Sequence, residues 1–335
     1  MTHKISVIGA GSWGTTLANL LATKGQHTLL YVYEKELYEE MQKERVNRKY
    51  LPEIKLAPNL LLTHDLAKAQ NYGDVIVLAV PSHAMRSVLE KFHSTGLKNK
   101  IFVNVAKGIE NDTLMRMSEV IIDVLGVSEN KVASLYGPSH AEEVSQGVAT
   151  AVVASCPDLS VARLVREIFR TDFFRVYSST DIIGVELGGS LKNVIAIAAG
   201  IADGAGFGDN TKAALMTRAL VEMTRLGETM GAQVQTFSGL SGMGDLIVTC
   251  MSRHSRNRYV GEQIGKGKSL QEVLDGMVMV AEGVKTTRSV YQLMRKYKVE
   301  MPISEQVYQV LFHNKNPQDA VRDLMTRDPK EELTT

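Results

Sequence analysis

Residues 4–14 read KISVIGAGSWG, and this stretch decides the fold of the first half of the chain. An apolar, β-branched run leads directly into Gly9, Gly11 and Gly14, which have the GxGxxG spacing. In this pattern the first glycine permits a tight turn, the second lets the backbone approach a pyrophosphate, and the third lets a helix pack closely on a strand. A helix predicted over residues 15–23 would point its free N–H groups at the phosphates. The stretch therefore predicts a dinucleotide-binding strand, turn and helix.

The second predicted strand bears on which dinucleotide is used. Glu34 lies at its expected end, about 20 residues beyond Gly14, where a carboxylate would bind the adenosine ribose. A carboxylate there favours the 2′-hydroxyl of NAD and repels the 2′-phosphate of NADP, whereas Lys35 could offset that repulsion. Trp13, inside the glycine loop, is either a core aromatic or an indole that covers the cofactor. We expect NADH to be used at least as well as NADPH.

Short apolar runs alternate with helical patterns through the first half of the chain. Strands are predicted at residues 5–8, 28–33, 74–80, 101–105, 131–136, 150–154 and 173–177, with a weaker one at 60–63. Helices are predicted at 113–125 and 159–169. Strands that are apolar throughout and separated by helices indicate a mostly parallel sheet covered on both faces. We therefore predict an α/β domain with a doubly wound, Rossmann-like sheet over residues 1–178.

Beyond about residue 178 the strand signal ends and only helical patterns follow. Helices are predicted at residues 181–201, 212–230, 255–265, 269–276, 284–296, 304–312 and 317–325. Residues 179–335 are expected to form an all-helical domain. Its charged tail, from residue 327, is expected to fray.

Composition excludes several classes of protein. The 335 residues are 44% hydrophobic and 22% charged, as in ordinary globular proteins, and 38 basic residues balance 37 acidic ones. That balance argues against a general nucleic-acid binder or a membrane-surface protein. Two cysteines, Cys156 and Cys250, cannot build a disulfide framework or a Cys-rich zinc site, and His254 lacks a second ligand at metal spacing, so no metal is expected. No segment approaches the roughly 20 apolar residues of a transmembrane helix and no signal peptide is evident, so we expect a cytoplasmic protein.

Two lysines occupy positions at which a ligand could bind. Lys107 follows one predicted strand, and Gly137 and Ser139 follow the next. Carboxyl ends of parallel strands are where such sheets bind ligands, although Lys107 could also be an exposed loop lysine. Lys192 lies on a helix face of small, apolar residues. There it either extends to the surface or serves in proton transfer, because burial lowers the pKa of a lysine toward a useful value.

A basic segment, MSRHSRNRY at residues 251–259, precedes and opens one of the predicted helices. Ser255 is the expected N-cap, and three arginines stand around it: Arg253, Arg256 and Arg258. A helix N-terminus with arginines can bind a small phosphate. The alternative is a solvated basic turn.

Seven motifs occur in a fixed order along the chain: GxGxWG, NVAKGIE, YGPSHAEE, ELGGSLKNVIAIAAGIADG, SGLSGMGDLIVTC, SRNRYVG and VAEGVKT. Together they resemble the NAD(P)-dependent glycerol-3-phosphate dehydrogenases of the soluble, bacterial type, from about residue 4 to about residue 327. The resemblance implies reversible reduction of dihydroxyacetone phosphate by NAD(P)H to sn-glycerol 3-phosphate, which supplies glycerophospholipid synthesis. It also implies a homodimer.

The resemblance further implies roles for individual residues. Lys192 would be the proton acceptor, assisted by Lys107 and Asp245. Beside Gly9, Gly11, Gly14 and Glu34, the residues implied at the cofactor are Ser12, Trp13, Tyr33, Lys107, Ala141, Arg256, Val280 and Glu282. Those implied at the substrate are Lys107, Gly137, Ser139, Lys192, Asn193, Asp245, Ser255, Arg256 and Asn257. Family members often carry His or Arg where this chain has Tyr33, so a cation that would suit a 2′-phosphate is missing there.

Two other functions stay open at this point. One is a different two-domain dehydrogenase of the 6-phosphogluconate-dehydrogenase-like superfamily, acting on a hydroxy acid. That substrate would require a carboxylate site in place of the phosphate site, and residues 255–257 argue mildly against it. The other is a nucleotide-binding redox sensor without turnover, which has no need of a buried general base such as Lys192.

Overall fold

The computed structural model of the protein describes residues 2–277, 279–329 and 331–332. It contains two compact units. The first comprises the chain up to Lys107 together with Met115–Ile182, and the second comprises Gly108–Leu114 together with the chain from Ile183 onward. Gly108–Leu114 therefore belongs to the second unit, although the chain on both sides of it belongs to the first. The expected division at residues 178 and 179 did not include this segment.

The first unit is built on an eight-stranded sheet with a separate short hairpin. The strands are β1 (Lys4–Ile8), β2 (His27–Tyr31), β3 (Val46–Asn47), β4 (Leu51–Lys55), β5 (Leu61–Thr63), β6 (Val75–Leu78), β7 (Ile101–Asn104), β8 (Val132–Tyr136), β9 (Thr150–Ser155) and β10 (Phe174–Ser179). The sheet order is β10-β9-β8-β7-β6-β1-β2-β5, and β3 pairs with β4 as an antiparallel hairpin. Every pairing in the large sheet is parallel except that of β8 with β9. The predicted mostly parallel, doubly wound fold is confirmed.

Seven helices accompany this sheet. They are α1 (Ser12–Thr23), α2 (Lys35–Glu44), α3 (Leu66–Tyr72), α4 (Met85–Leu89), α5 (Met117–Leu125), α6 (Ala141–Ser145) and α7 (Leu159–Phe169). Successive strand residues belong to different buried clusters: Val7 and Val103 lie in one, and Ile8 and Phe102 lie in the other. Because side chains alternate along a strand, the two clusters cover opposite faces of the sheet. This explains why the strands are apolar throughout.

Several element boundaries differ from the sequence prediction. The strand predicted at 28–33 ends at Tyr31, and the helix predicted at 113–125 begins at Met117. Helix α1 begins at Ser12 instead of residue 15, because the glycine loop itself forms the first helical turn. The β3–β4 hairpin and helix α2 were not predicted.

The second unit is all-helical in the part of the chain that the structure describes, as predicted. Its helices are α8 (Ile182–Gly204), α9 (Asp209–Thr229), α10 (Val234–Phe237), α11 (Asp245–Met251), α12 (Arg256–Gly265), α13 (Leu270–Asp275), α14 (Glu282–Tyr297), α15 (Pro302–Phe312) and α16 (Pro317–Met325). A π-helical turn, Leu240–Gly244, leads directly into α11. The core is centred on α8, whose Leu191 and Ile195 share a buried cluster with Val260 and Val290.

Helix α8 corrects one expectation. Its 23 residues, with a window of mean hydropathy 1.5, make it the one helix among the described residues that is long and apolar enough to span a membrane. The expectation that no segment approaches this length was therefore wrong. However, 89% of that window is buried inside the protein. A helix that is apolar on all sides is typical of the centre of a helical core as well as of a membrane.

Glycines set the close approach of α8 and α12. A Cβ atom on Gly261 would lie 2.0 Å from the carbonyl oxygen of Ile197, and one on Gly200 would lie 2.0 Å from that of Arg258. Only glycine permits these backbones to approach so closely. The contact fixes the first turn of α12 relative to the α8 segment that carries Lys192.

Candidate active site

The glycine loop has the geometry that its spacing predicts. Gly9 has a φ of +112°, and a Cβ atom there would lie 2.7 Å from the carbonyl oxygen of Ala79. A Cβ atom on Gly14 would lie 2.0 Å from the carbonyl oxygen of Gly9, so helix and strand do pack closely. A Cβ atom on Gly11 would meet nothing within 4 Å. The open side of Gly11, at the N-terminus of α1, is therefore suited to a pyrophosphate.

Ser12 and Trp13 are the first two residues of α1. The indole of Trp13 is half-buried against the core, with its ring centroid 6.4 Å from that of Phe174. Trp13 is thus partly a core aromatic. Its second interpretation, as a cover for the cofactor, stays a prediction.

Asn47 supports the loop and was missed from the sequence. It is fully buried on β3, and its Nδ2 donates to the carbonyl oxygen of Ala10 and to Oγ1 of Thr15, both at 2.8 Å. Its Oδ1 accepts from the backbone N–H of Tyr50 at 3.1 Å. A two-residue strand gives no periodic signal, so only the Asn-Arg turn at residues 47–48 hinted at this hairpin.

Glu34 occupies the N-cap position of α2 without a side-chain capping bond, and its carboxylate is held by the same hairpin. Its Oε1 accepts from Lys49 Nζ at 2.7 Å and from the Tyr50 hydroxyl at 3.2 Å. The bonds to Glu34 and Tyr50 raise the pKa of Lys49, which keeps it charged. Lys35, the residue that could have offset Glu34, pairs instead with Glu39 at 3.9 Å.

Tyr33 is 71% exposed, and Lys91 Nζ lies 5.9 Å from its ring centroid. A cation therefore does lie near this position, although the side chain of residue 33 supplies none.

Lys107, Gly137 and Ser139 meet at the ends of β7 and β8. Lys107 Nζ donates to the carbonyl oxygen of Gly137 at 2.9 Å, and Ser139 Oγ donates to the same oxygen at 3.0 Å. Gly137 has a φ of +150°, and a Cβ atom there would lie 2.9 Å from Val152 Cα. The half-buried Lys107 is therefore anchored and is not an ordinary solvated loop lysine.

Ala141 is the first residue of α6. Its carbonyl oxygen accepts from Thr16 Oγ1 of α1 at 3.3 Å. This bond places Ala141 beside the helix that the glycine loop opens.

Lys192 is buried in an ion pair. Only 8% of its side chain is exposed, and Nζ donates to Asp245 Oδ1 at 2.8 Å and to Thr249 Oγ1 at 2.7 Å. The Thr249 hydroxyl donates in turn to the carbonyl oxygen of Asp245 at 2.6 Å. Lys192 therefore does not extend to the surface. Burial disfavours its ammonium form, whereas the Asp245 carboxylate favours it.

The π-helical turn before α11 brings Asp245 to this lysine. A Cβ atom on Gly188, one turn before Lys192, would lie 2.6 Å from the carbonyl oxygen of Ser241. The glycine thus lets the turn lie directly against α8. The adjacent thiol of Cys250 has its pKa raised to about 12 by burial, so it stays protonated and is not a nucleophile.

An amide chain joins three helices beside Lys192. Asn257 Nδ2 donates to Asn193 Oδ1 at 2.9 Å, and the backbone N–H of Gly283 donates to Asn257 Oδ1 at 2.9 Å. Glu282 begins α14 at this contact, and Val280, just before it, is 41% exposed. The structure thus brings Asn193, Asn257 and the start of α14 together.

The arginines near Ser255 have different environments. Ser255 is the N-cap of α12, as predicted, and its Oγ accepts from the backbone N–H of Arg258 at 3.2 Å. Arg258 is committed to Asp203, with NH2 2.6 Å from Oδ2. Arg256 and Arg253 are exposed, and neither forms an ion pair with another described residue. An anion at this helix start would therefore meet Arg256 and Arg253.

Across the described part of the chain, no group of three or more His, Cys, Asp or Glu side chains could hold a metal ion.

Two family models match this chain and together cover most of its length. The N-terminal model of NAD-dependent glycerol-3-phosphate dehydrogenase matches residues 4–162, and the C-terminal model matches residues 181–322. The chain belongs to this family. The resemblance inferred from the motifs is thereby confirmed.

Individual relatives agree over nearly the whole chain. A protein of Chlorobium phaeobacteroides, named glycerol-3-phosphate dehydrogenase (NAD(P)+), is 55% identical over 331 residues, covering 98% of this chain and 99% of the relative. One of Citrifermentans bemidjiense with the same name is 54% identical over 333 residues, covering 99% of both chains. The crystal structure of glycerol-3-phosphate dehydrogenase from Coxiella burnetii has a TM-score of 0.91 and 37% identity, covering 97% of this chain and 99% of that one.

Proposed function

We propose that the protein catalyses the reversible reduction of dihydroxyacetone phosphate to sn-glycerol 3-phosphate by NAD(P)H, and so supplies glycerophospholipid synthesis. The observation that carries the proposal is a buried lysine, Lys192, paired with Asp245 and Thr249 in a chain of this family. A redox sensor without turnover has no need of this arrangement. A hydroxy acid would require a carboxylate site in place of the phosphate site, and residues 255–257 argue mildly against it.

The glycine loop fits a dinucleotide, since Gly9 permits the turn, Gly11 leaves space at a helix N-terminus and Gly14 lets the helix pack on the strand. When bound, NAD(P)H supplies the hydride that goes to C2 of the substrate. The residues proposed to hold it are Gly9, Gly11, Ser12, Trp13, Gly14, Tyr33, Glu34, Lys107, Ala141, Arg256, Val280 and Glu282.

Lys192 is the proposed acid and base. In the reducing direction its ammonium group donates a proton to the oxygen that develops on C2, and in the oxidising direction the neutral amine takes that proton back. Asp245 stabilises the ammonium form, and Thr249 fixes the position of Nζ. Lys107 stabilises negative charge that develops on the substrate.

The substrate is proposed to be held at both ends. Arg256 and the N-terminus of α12 bind its phosphate, because a guanidinium and free backbone N–H groups both suit a dianion. Fixing the phosphate also fixes the angle at which C2 is presented to the hydride donor. The other proposed substrate contacts are Gly137, Ser139, Asn193, Ser255 and Asn257.

The protein is proposed to act as a homodimer in the cytoplasm, without membrane insertion. The homodimer is what the family resemblance implies. The burial of α8 inside the protein supports the proposal that this apolar helix is a core element. Nearly balanced charge supports small-molecule substrates in place of nucleic acid.

The test is the loss of NADH and NADPH absorbance when dihydroxyacetone phosphate is added to the purified protein. We expect turnover with dihydroxyacetone phosphate and much less with 2-oxo acids or with unphosphorylated dihydroxyacetone. Faster turnover of a 2-oxo acid would support the hydroxy-acid dehydrogenase instead. Binding of dinucleotide without turnover of any of these substrates would support the sensor.

A further inference from the structure

A cation lies on the carboxylate that is expected to bind the adenosine ribose. Lys49 Nζ is 2.7 Å from Glu34 Oε1, and the Tyr50 hydroxyl is 3.2 Å from the same oxygen. We infer that Lys49 is the residue that binds a 2′-phosphate at this end of the site and so lets the protein accept NADPH as well as NADH. The inference rests on the proposed dinucleotide cofactor and adds a specificity-determining residue to it.

The position of Lys49 is built into the fold. Two residues earlier, Asn47 binds the carbonyl oxygen of Ala10 in the glycine loop and the Thr15 hydroxyl. At the far end of the hairpin, Asn19 of α1 accepts from the backbone N–H of Ala57 at 2.7 Å. The hairpin that carries Lys49 is therefore anchored to the helix and loop that would hold the pyrophosphate. An adenosine ribose bonded to that pyrophosphate and to Glu34 would lie within reach of Lys49.

Other basic side chains nearby have other contacts. Lys91 lies over the ring of Tyr33, with Nζ 5.9 Å from the ring centroid. Lys35 is 3.9 Å from Glu39, and Arg48 is 2.5 Å from Glu44 and 3.4 Å from Glu40. Arg45 donates to the backbone carbonyl oxygen of Leu60 at 2.8 Å. Among the described residues, Lys49 is thus the cation that contacts Glu34.

The charges of the pair explain how one site accepts two cofactors. Lys49 is 44% exposed and has a flexible stem, so its ammonium can move by a few ångströms without a desolvation cost. A 2′-phosphate carries about 1.5 to 2 negative charges at neutral pH and therefore attracts Lys49 more strongly than the single charge of Glu34 does. With a 2′-hydroxyl, Glu34 accepts from the ribose while Lys49 stays beside it. Neutralised by Lys49, Glu34 repels a 2′-phosphate less than an isolated carboxylate would.

Calorimetric titration of the whole protein with NADH and with NADPH tests the inference without depending on turnover. Lys49→Ala should raise the Kd for NADPH by about 10-fold or more, the loss expected for one charge-assisted contact, and change the Kd for NADH by less than about 3-fold. In titrations with smaller ligands, Lys49→Ala should likewise raise the Kd for 2′,5′-ADP by about 10-fold or more and change the Kd for ADP by less than about 3-fold. Lys49→Arg should retain NADPH binding.

Lys35→Ala is the matched control, because it removes an exposed lysine next to Glu34 that does not contact it. It should leave the ratio of the two Kd values unchanged. An unchanged ratio in Lys49→Ala, or an equal shift in Lys35→Ala, would overturn the assignment of Lys49 while leaving the proposed function intact. A wild-type protein that binds neither dinucleotide would instead overturn the proposed cofactor, and the inference with it.

Discussion

At the scale of single residues, the buried pair of Lys192 and Asp245 carries both chemistry and stability. We expect Lys192→Ala to lower kcat by about 10²- to 10⁴-fold, because it removes the acid and base, while the Kd for NADH stays near that of the wild type. The same change leaves the Asp245 carboxylate buried without its cation, which costs about 3–5 kcal/mol of unfolding free energy. Steady-state kinetics and chemical denaturation measure the two effects.

A double variant separates chemistry from stability. Lys192→Met with Asp245→Asn removes both charges, so it should recover much of the lost unfolding free energy and none of the activity. Near wild-type turnover of either variant at neutral pH would show that another group moves the proton.

Arg256 is exposed at the start of α12, so its removal should not disturb the fold. We expect Arg256→Ala to raise the KM for dihydroxyacetone phosphate and to reduce the preference for it over unphosphorylated dihydroxyacetone by about 10- to 100-fold, as for the loss of one charged hydrogen bond. Comparative kinetics on the two substrates measure this. Arg295→Ala, an exposed change in the last turn of α14, is the control for a general loss of positive charge. If the preference stayed the same in Arg256→Ala, Arg256 would belong to a solvated turn.

How far single residues could be predicted depends on whether their signal is local. Lys107 follows a strand and Lys192 interrupts an apolar helix face, and both signals lie within about ten residues of sequence. Thr249 contacts Lys192 across 57 positions, and Lys49 contacts Glu34 from a hairpin with almost no periodicity. Such partners depend on tertiary contact, which no local pattern encodes.

At the scale of elements, the crossing of α8 and α12 depends on glycine. A Cβ atom on Gly261 would lie 2.0 Å from a backbone oxygen of α8, so Gly261→Ala forces the helices apart. We expect a loss of about 1–3 kcal/mol in unfolding free energy, typical of overpacking, and a higher KM for dihydroxyacetone phosphate because the start of α12 moves. Gly276→Ala is the control, since a Cβ atom there would lie 3.7 Å from the carbonyl oxygen of Val273, an ordinary contact. A Gly261→Ala protein as stable as the wild type would show that the helices adjust freely.

Strands that alternate with long amphipathic helices were predictable from the sequence. The direction in which a strand runs beside its neighbour, and the short helices and strands, were not. The β9 strand has the same apolar character whether it runs parallel or antiparallel to β8, so only the pairing reveals that it is antiparallel. Helix α10 has four residues and β3 has two, which is below the length at which a period can be recognised.

At the scale of the whole molecule, Gly108–Leu114 belongs to the second unit although the chain before and after this segment belongs to the first unit. This segment is held there by hydrogen bonds: Ser190 Oγ donates to the carbonyl oxygen of Gly108 at 3.3 Å, and Ser289 Oγ donates to that of Ile109 at 3.1 Å. The two serines lie 82 and 180 positions from their partners. The loss of the strand pattern along the sequence marks where the helical region begins. It cannot reveal that an earlier short segment packs with that region.

A buried carboxylate couples the stability of the second unit to pH. Glu222 of α9 is 3% exposed, and it accepts from the backbone N–H groups of Ile303 at 2.7 Å and Ser304 at 3.2 Å, in the first turn of α15. Burial raises the pKa of Glu222 from 4.5 to about 7, although these bonds and the charge of Arg225 oppose the rise. The folded protein therefore binds this proton more tightly than the unfolded chain does.

The sign of the pH dependence follows from that difference in proton affinity. Between about pH 4.5 and pH 7 the folded state holds a proton on Glu222 that the unfolded state has released, so this group's contribution to stability falls as the pH rises and levels off above pH 7. The side chain in Glu222→Gln cannot ionise. The unfolding free energy of the wild type, measured relative to that of this variant, should therefore fall as the pH rises from 5 to 8. Glu228→Gln, an exposed change on the same helix, is the matched control for the loss of a carboxylate. Denaturation at four pH values measures the difference between wild type and each variant, and parallel profiles for wild type and Glu222→Gln would show that Glu222 ionises alike in the folded and unfolded states.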